Sequence, residues 1–198
     1  VDILVCVDGS KGSVYAKASA GAVADFFVAL PGIEKIWGKG GTKVSIHLKE
    51  GFDVDLRIVP EKSYGAALQY FTGNKDHNIV VRKIAIENGL KLSEYGLFRG
   101  KKMIASKTEE DIYKALGMVF IPPEIRENEG EVEASVRQAQ GKSPGLPKLI
   151  EVKDIKGDLH CHSNWDGGKN SIEVMAQKAM ALGYEYIGIS DHTKFLHI

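Results

Sequence analysis

The sequence has few cysteines, no long apolar run and no excess of charge of either sign, and each absence narrows the class of protein. Its two cysteines, Cys6 and Cys161, lack the spacing of a disulfide framework, which favours a reducing, cytoplasmic setting. No stretch approaches the roughly 18 apolar residues of a membrane span, so we expect no membrane partner. The 26 basic and 26 acidic residues balance, which excludes a uniformly basic DNA-coating protein.

The neutral total conceals a segregation of charge along the chain. Residues 74–107 carry eight basic side chains against three acidic ones, whereas residues 108–133 carry eight acidic side chains against two basic ones. A basic segment in a neutral chain is either a phosphate-facing patch or an ordinary solvated face. Composition alone leaves both interpretations open.

Hydrophobic periodicity and turn residues predict an α+β chain. The predicted elements are a strand at 1–7, a loop at 8–13, a helix at 15–30, a hairpin of strands 42–49 and 54–59, helices at 63–70 and 76–88, a strand at 90–98 and a helix at 112–116. The sequence that begins at Thr108 resembles a capping box for the last of these helices.

The C-terminal third predicts a separate unit. Residues 128–148 are polar with Gly and Pro, which is typical of a linker. A strand at 157–162, a helix at 171–182 and a strand at 186–190 then predict the start of a parallel sheet or barrel, whose ligands lie at the strand carboxyl ends. No barrel closes within about 40 residues, and the first strand has no lead-in, so we expect an internal segment of a longer protein.

Acidic side chains on two predicted strands could form a metal site. Asp2 interrupts an apolar strand, where an ionised group is costly unless it is paired or metal-bound. Period-two alternation puts Asp53, Asp55 and Arg57 on one face of another strand. Acids on one face of neighbouring strands would suit Mg²⁺. The alternative is that Asp55 pairs with Lys43 or Arg57 across the sheet.

Histidines at two successive strand ends form a second candidate metal site. Alternation aims His160 and His162 the same way, and Asp191 and His192 end the next parallel strand. All of these side chains could therefore converge on one metal cluster. The alternative for any single histidine is a structural or surface role.

With these residues in place, the chain resembles a prokaryotic family X DNA polymerase, related to DNA polymerase beta and fused to a PHP (polymerase and histidinol phosphatase) domain. The resemblance rests on VDILV at 1–5, VDLR at 54–57, GAALQYFTGNKDHN at 65–78, LSEY at 92–95 and GDLHCHS at 157–163. It implies a partial nucleotidyltransferase palm sheet at 1–59, an α/β thumb at 60–133, a linker at 134–156 and the first βαβ unit of a (βα)7-type PHP barrel at 157–198.

The resemblance also implies a role for individual residues. Asp2 and Asp55 would be the catalytic carboxylates holding two Mg²⁺ ions, with Asp55 nearest the primer 3′-hydroxyl as ligand and proton acceptor. The implied nucleotide contacts are Tyr70, Phe71, Gly73 and Asn78, and the implied DNA contacts are Arg57, Lys75 and Arg82. The implied PHP ligands of Mn²⁺ or Zn²⁺ are His160, His162, Asp166 and His192.

Some of these roles have simpler alternatives, and the chain departs from the family in places. The aromatic pair at 70–71 could be core residues, and Asn78 and Arg82 could be a solvated pair on one helix face. The family's first palm aspartate would fall before Val1. Residues 166–168 (Asp-Gly-Gly) stand where the family has Ser-Asp-Gly, so either the loop shifts or that ligand is lost. The family also implies a cis peptide after Gly73.

The resulting hypothesis is part of a template-directed DNA polymerase that fills gaps in DNA repair, such as base excision repair, by two-metal phosphoryl transfer. A PHP-associated 3′–5′ exonuclease or phosphoesterase would accompany it. The partners would be gapped or primer–template DNA and deoxynucleoside triphosphates, and we expect a monomer. Two alternatives are a non-catalytic DNA-binding module and a PHP-type phosphoesterase with an unrelated leader.

Overall fold

The computed structural model describes residues 1–7 and 19–193, which belong to two compact units. The first unit extends from Val1 to Leu146, and the second begins at Pro147. The predicted loop at 8–13 and residues 15–18 of the predicted first helix lie outside the described residues. In the described ranges, no helix is long and apolar enough to cross a membrane.

A four-stranded sheet opens the first unit. Its strands are β1 (Asp2–Val7), β2 (Ile33–Lys39), β3 (Lys43–Leu48) and β4 (Asp53–Pro60), in the order β1-β4-β3-β2. β1 pairs parallel to β4, and β3 pairs antiparallel to both β4 and β2, so the predicted hairpin is confirmed. The sequence does not predict β2, because this edge strand is exposed along nearly its whole length and lacks the alternation that burial imposes.

The two faces of this sheet differ in polarity. Helix α1 (Ala20–Val28) covers the apolar face. The buried side chains of that face are Val44, Ile46, Val54, Leu56 and Ile58, packed with Ala24 and Phe27 of the helix. Burying one such large side chain contributes roughly 1.5–3 kcal/mol, which fixes the face that turns inward. The polar residues of the same strands are therefore left on the open face.

The rest of the first unit is mainly helical. It consists of α2 (Tyr64–Phe71), α3 (Lys75–Glu87), β5 (Lys91–Ser93), β6 (Gly96–Arg99), β7 (Lys102–Ala105), α4 (Glu109–Ala115) and α5 (Glu131–Ala139). Asn74 and Thr108 are the N-caps of α3 and α4, and their side-chain oxygens accept hydrogen bonds from backbone N–H groups of the first turn. The three helices predicted between residues 63 and 116 are confirmed.

Two parts of this region differ from the prediction. The single strand predicted at 90–98 is a tight hairpin of β5 and β6, to which β7 adds a third strand. The polar segment predicted as a linker contains α5, whose Val132, Ala134 and Ser135 are buried. An amphipathic helix with a short apolar face has a polar overall composition, which concealed it. The division between the two units follows Leu146, which packs against the same core.

Arg126 is a fully buried residue that joins three segments of the first unit. Its Nη1 donates to the carbonyl of Thr72, after α2, at 3.1 Å and to a carboxylate oxygen of Glu109, in α4, at 2.7 Å. Its Nε and Nη2 donate to the carbonyl of Ile121 at 3.0 and 2.9 Å. The charge is thus both paired and hydrogen-bonded, as burial of a charge requires.

Replacing Arg126 by methionine should lower the free energy of unfolding by about 3–5 kcal/mol, because Glu109 would be left as a buried charge without its partner. The matched control is Arg99→Met, at an exposed arginine ending β6, which should change stability by less than about 0.5 kcal/mol. Urea denaturation followed by circular dichroism measures both. Equal losses in the two variants would contradict the role given to Arg126.

A buried hydrogen-bonded chain connects α3, α4 and α5. His77 Nδ1 lies 2.6 Å from a carboxylate oxygen of Glu131, and His77 Nε2 lies 3.0 Å from the hydroxyl of Tyr113. Burial lowers the pKa of His77 and raises the pKa of Tyr113 to about 12. We therefore assign a neutral imidazole that donates from Nδ1 to Glu131 and accepts at Nε2 from Tyr113.

The stability of the first unit should fall as the pH drops below about 6.5, the ordinary pKa of histidine. Below this pH the unfolded chain takes up a proton on His77. The folded state, in which the pKa of His77 is lower, takes up that proton less readily, so acid favours unfolding. One such group contributes a slope of at most about 1.4 kcal/mol per pH unit. The free energy of unfolding, measured by denaturation at several pH values, should depend less steeply on pH in His77→Gln. The same slope in both proteins would contradict this linkage.

The second unit contains one strand–helix–strand motif. Its elements are β8 (Gly157–Cys161), α6 (Ile172–Ala181) and β9 (Tyr186–Ile189). β8 and β9 are parallel neighbours, which confirms the predicted motif. Their register is irregular between Asp158 and Cys161.

Candidate functional site

The open face of the four-stranded sheet carries a cavity of about 500 Å³. Its lining residues are Val1, Asp2, Trp37, Ser45, Asp53 and Asp55. Asp2 and Asp55 are register partners across the parallel β1–β4 ladder, so their side chains share one face. The predicted proximity of these two carboxylates is confirmed, and their catalytic roles stay predictions.

Asp55 has two further close partners. Its Oδ1 accepts a hydrogen bond from the Ser45 hydroxyl at 2.5 Å, and its Oδ2 lies 2.6 Å from Lys43 Nζ. The hydrogen bonds from Lys43 and Ser45 lower the pKa of Asp55, so the carboxylate is ionised at neutral pH. The ion-pair alternative therefore holds for Lys43. Ionised carboxylates on one face also provide the oxygen ligands that Mg²⁺ prefers, so Asp2 and Asp55 fit such an ion.

The same face contains a polar group that the sequence interpretation missed. Trp37 Nε1 donates to Asp53 Oδ1 at 3.0 Å, and His47 Nδ1 lies 2.8 Å from the same oxygen. The hydrogen bonds from His47 and then Trp37 lower the pKa of Asp53. Lys35 Nζ lies 3.9 Å from the centroid of the indole. Alternation already indicated Asp53, whereas Trp37 belongs to the edge strand that the sequence does not reveal.

Aromatic and guanidinium side chains connect the sheet with α2 and α3. Arg57 Cζ lies 5.0 Å from the ring centroid of Phe71, and Phe71 lies edge-to-face with Tyr70 at 5.0 Å. Arg82 Cζ lies 5.6 Å from the Tyr70 ring. Both aromatic rings are partly exposed and lie outside the buried core, so the core-residue alternative is wrong. Within the described residues, the buried Nε of Arg57 has no hydrogen-bond partner.

The side-chain amide of Asn78 is hydrogen-bonded within the protein. Its Nδ2 donates to the carbonyl of Tyr70 at 3.0 Å, and its Oδ1 accepts from Gln69 Nε2 at 2.8 Å. These bonds tie α3 to the end of α2, directly below the aromatic pair. The alternative of a solvated pair with Arg82 is therefore wrong for Asn78.

The turn between α2 and α3 packs against Arg126. Gly73 has φ = 123°, and a Cβ there would lie 3.0 Å from Cδ of Arg126, so only glycine fits. The cis peptide expected after Gly73 is not found, since the cis bond in the described part of the chain is Ser143–Pro144. The trans form suits Asn74, whose N–H donates to the Arg126 carbonyl at 3.1 Å while its side chain caps α3.

The basic residues of segment 74–107 are largely exposed. Those fully on the surface are Lys75, Lys83, Lys91, Arg99, Lys101, Lys102 and Lys107, and Arg82 is half-buried. In the described ranges, none of the eight forms a salt bridge. Their charge is thus uncompensated by neighbouring carboxylates, and exposed charge of this kind attracts polyanions.

The second unit brings three metal-ligand side chains together. Donor atoms of His162, Asp166 and His192 all lie within 4.8 Å of one another. Asp166 Oδ2 lies 3.3 Å from His162 Nδ1, accepts from the His192 backbone N–H at 2.6 Å and also contacts His192 Nδ1. The backbone hydrogen bond from His192 is the main cause that lowers the pKa of Asp166. Two imidazoles and a carboxylate fit Zn²⁺ or Mn²⁺.

Two residues expected in this cluster lie beside it. The ring centroid of His160 is 5.2 Å from that of His162, but His160 does not share the common donor position of the other three residues. Asp191 instead accepts from the backbone N–H of Ser163 at 2.6 Å and from its hydroxyl. The predicted convergence of His160, His162 and His192 is therefore correct for two of the three histidines.

The shifted acidic residue at 166 keeps its place in the cluster. The backbone N–H groups of Asp166 and Gly168 both donate to the carbonyl of Ser163, at 3.1 and 2.9 Å, and form a tight turn. Gly167 has φ = 82°, and a Cβ on Gly168 would collide with the carbonyl oxygen of His162. The two glycines thus allow this turn, which keeps Asp166 beside His162 and His192, and its role as a ligand stays a prediction.

Comparison with known proteins identifies the helical part of the first unit. Residues 67–127 match the family model described as DNA polymerase beta thumb. The match includes the aromatic pair, α3, the small sheet, α4 and Arg126. This segment is similar to the thumb domain of the family X, or polymerase beta-like, DNA polymerases.

Individual relatives agree with this assignment. The chain is 39% identical over 180 residues to DNA polymerase/3′-5′ exonuclease PolX of Bacillus subtilis, covering 89% of this chain and 30% of that protein. It is 32% identical over 82 residues to repair DNA polymerase X of African swine fever virus, covering 39% of this chain and 46% of that protein. The ternary P/T complex of Leishmania infantum polymerase beta superposes with a TM-score of 0.52 at 25% identity, covering 64% of this chain and 60% of that one. The chain is thus a homologue of DNA polymerases and spans less than two thirds of each relative.

The chain should bind one Zn²⁺ or Mn²⁺ ion. The matched variants His162→Ala and His160→Ala distinguish a metal ligand from a residue that only lies beside the ligands. Loss of a residue that only supports a metal ligand typically lowers metal affinity by about 10–100-fold. His162→Ala removes a ligand, so it should lower the affinity by more than about 100-fold. His160→Ala should lower it by about 100-fold or less. Titration calorimetry with each ion measures both. Equal weakening would place His160 among the ligands and contradict the assignment.

Proposed function

We propose that this chain forms the palm face and thumb of a template-directed DNA polymerase that fills gaps in DNA repair. The whole protein would transfer nucleotides from deoxynucleoside triphosphates to a primer on gapped or primer–template DNA. The homology to two polymerases, of which the viral one is named for repair, supports this class of reaction. The expected cytoplasmic location and monomeric state are proposed with it.

One observation carries the proposal: the candidate carboxylates and the aromatic pair are connected by consecutive residues of one strand face. β4 presents Asp55 toward Asp2 and, two residues later, Arg57 toward Phe71. Carboxylate oxygens are thus close to partly exposed rings and guanidinium groups. A nucleoside triphosphate needs this combination, because its base and sugar are flat and apolar while its phosphates are anionic.

Each residue of the candidate site would have its own role in the reaction. Asp2 and Asp55 would hold two Mg²⁺ ions, which supply the positive charge that stabilises phosphoryl transfer. Asp55 would accept the proton of the primer 3′-hydroxyl. Tyr70 and Phe71 would pack against the sugar and base of the incoming nucleotide, and Gly73 would line the same site.

Contacts to the base pair and to the template would come from α3. Asn78 would exchange its bond to the Tyr70 carbonyl for the minor-groove edge of the base, and Arg82 would reach the template strand from above Tyr70. The minor groove presents acceptors at similar positions in every base pair, so such contacts test the shape of the pair without selecting a sequence. Arg57 and Lys75 would contact DNA phosphates.

A second activity, a 3′–5′ exonuclease or phosphoesterase, is proposed for the second unit. The cluster of His162, Asp166 and His192 supports it, and the Bacillus relative is named for both polymerase and exonuclease activity. The β8–α6–β9 motif would be the first βαβ unit of a PHP barrel with this cluster at its strand ends. An ion of Mn²⁺ or Zn²⁺ held there would polarise a phosphodiester for hydrolysis.

In the whole protein, Asp55→Asn should abolish Mg²⁺-dependent extension of a gapped primer–template and leave the affinity for that DNA unchanged, because the amide cannot hold the ion or accept the proton. The matched control is Asp25→Asn, which makes the same change of charge at a carboxylate of α1 that pairs with Lys39. It should extend the primer like the unmodified protein. Gel analysis of a labelled primer measures extension, and fluorescence anisotropy measures affinity.

Two results would redirect the proposal. Equal extension by Asp55→Asn and the control would contradict the catalytic role of Asp55. Tight binding of gapped DNA without any extension by the unmodified protein would favour the alternative of a non-catalytic DNA-binding module.

A further inference from the structure

The exposed tryptophan in the sheet cavity has no role in the activities considered so far. Trp37 lies on the edge strand β2, lines the same cavity as Asp2 and Asp55, and is 55% exposed. Single exposed apolar side chains are common on protein surfaces and need no explanation by themselves. Trp37 differs from such a residue in how it is held.

Polar contacts at its edge hold the indole of Trp37 in one orientation. Its N–H donates to Asp53, and the same carboxylate oxygen is bonded by His47, whose ring lies 6.1 Å from the indole in an edge-on arrangement. Lys35, two residues earlier on the same side of β2, keeps its ammonium 3.9 Å from the ring centroid. The ring is therefore oriented by polar contacts while much of its surface remains accessible, as in an aromatic platform for a flat ligand.

The order of residues along β4 gives this platform a position relative to the reaction. Asp53 holds Trp37, Asp55 faces Asp2, and Arg57 contacts Phe71. With a rise of about 3.3 Å per residue, Asp53 and Arg57 each lie roughly 6–7 Å from Asp55 along the strand, in opposite directions. Trp37 and the aromatic pair of the thumb thus flank the carboxylates on opposite sides.

In-line phosphoryl transfer requires that the attacking and leaving oxygens lie on opposite sides of the phosphorus. If the incoming nucleotide lies on the thumb side, the attacking primer end must approach from the side of Trp37. We infer that Trp37 stacks against the 3′-terminal nucleoside of the primer, and that Lys35 faces a phosphate of the same strand. This inference rests on the proposed polymerase function and adds a binding site for the primer end to that for the incoming nucleotide.

The test uses the chain with Trp165→Phe, which leaves Trp37 as the sole tryptophan, since the sequence has two. Two primer–template duplexes are compared, one with a normal primer end and one whose terminal primer nucleotide lacks its base. Emission of Trp37 reports stacking, and anisotropy of a dye on the template reports affinity. Further substitution of Trp37→Ala should weaken binding of the normal duplex by about 5- to 150-fold and leave binding of the abasic duplex nearly unchanged.

The matched control is Phe52→Ala, at a 59% exposed aromatic residue of the β3–β4 turn that does not line the cavity. It should weaken neither duplex. Quenching of Trp37 by the normal duplex, together with the selective loss, supports the inference. Unchanged emission, or an equal loss on both duplexes, would overturn it and leave the proposed function intact. Failure of the Trp165→Phe protein to bind either duplex would overturn both.

Discussion

The hydrogen bonds of one buried guanidinium determine where the turn between α2 and α3 lies. A buried charge is stable only when acceptors surround it, and Arg126 takes its acceptors from the end of α2, from α4 and from the segment after α4. The rings of Tyr113 and Phe120 enclose the same cation. Because Thr72 directly follows the aromatic pair, the position of Tyr70 and Phe71 depends on a residue more than fifty positions away in the sequence.

Sequence patterns predicted those elements whose burial is one-sided and whose ends carry capping residues. The β3–β4 hairpin alternates strictly, and Asn74 and Thr108 begin their helices as their residue types indicate. The edge strand β2 escaped prediction because no face of it is buried, and α5 because its apolar face is short. The buried partners of Arg126 could not be predicted at all, since nothing local to residue 126 indicates Thr72 or Glu109.

In the candidate sites, too, some features follow from the sequence pattern and others only from the folded structure. The types and spacing of Asp2, Asp55, His162 and His192 were sufficient to name them, because strand alternation and parallel pairing act on neighbouring residues. The place of Asp166 depends on a turn of two glycines, and His160 stays outside the shared donor position although its ring lies 5.2 Å from that of His162. Alternation predicts which side chains share a face, but it does not predict the turn or which donor atoms meet, so both are visible only in the folded structure.

The sheet cavity and segment 74–107 carry charge of opposite sign. The sheet cavity holds three carboxylates, whereas segment 74–107 exposes basic residues without salt bridges in the described ranges. Lys43 already provides one positive charge to Asp55, with 40% and 31% of the two side chains exposed. A pair this accessible contributes only about 0.2–1 kcal/mol, so exchanging the ammonium for a divalent ion costs little. Lys43 can therefore keep the carboxylate ionised without competing strongly with the ion that the proposed nucleotidyl transfer would require.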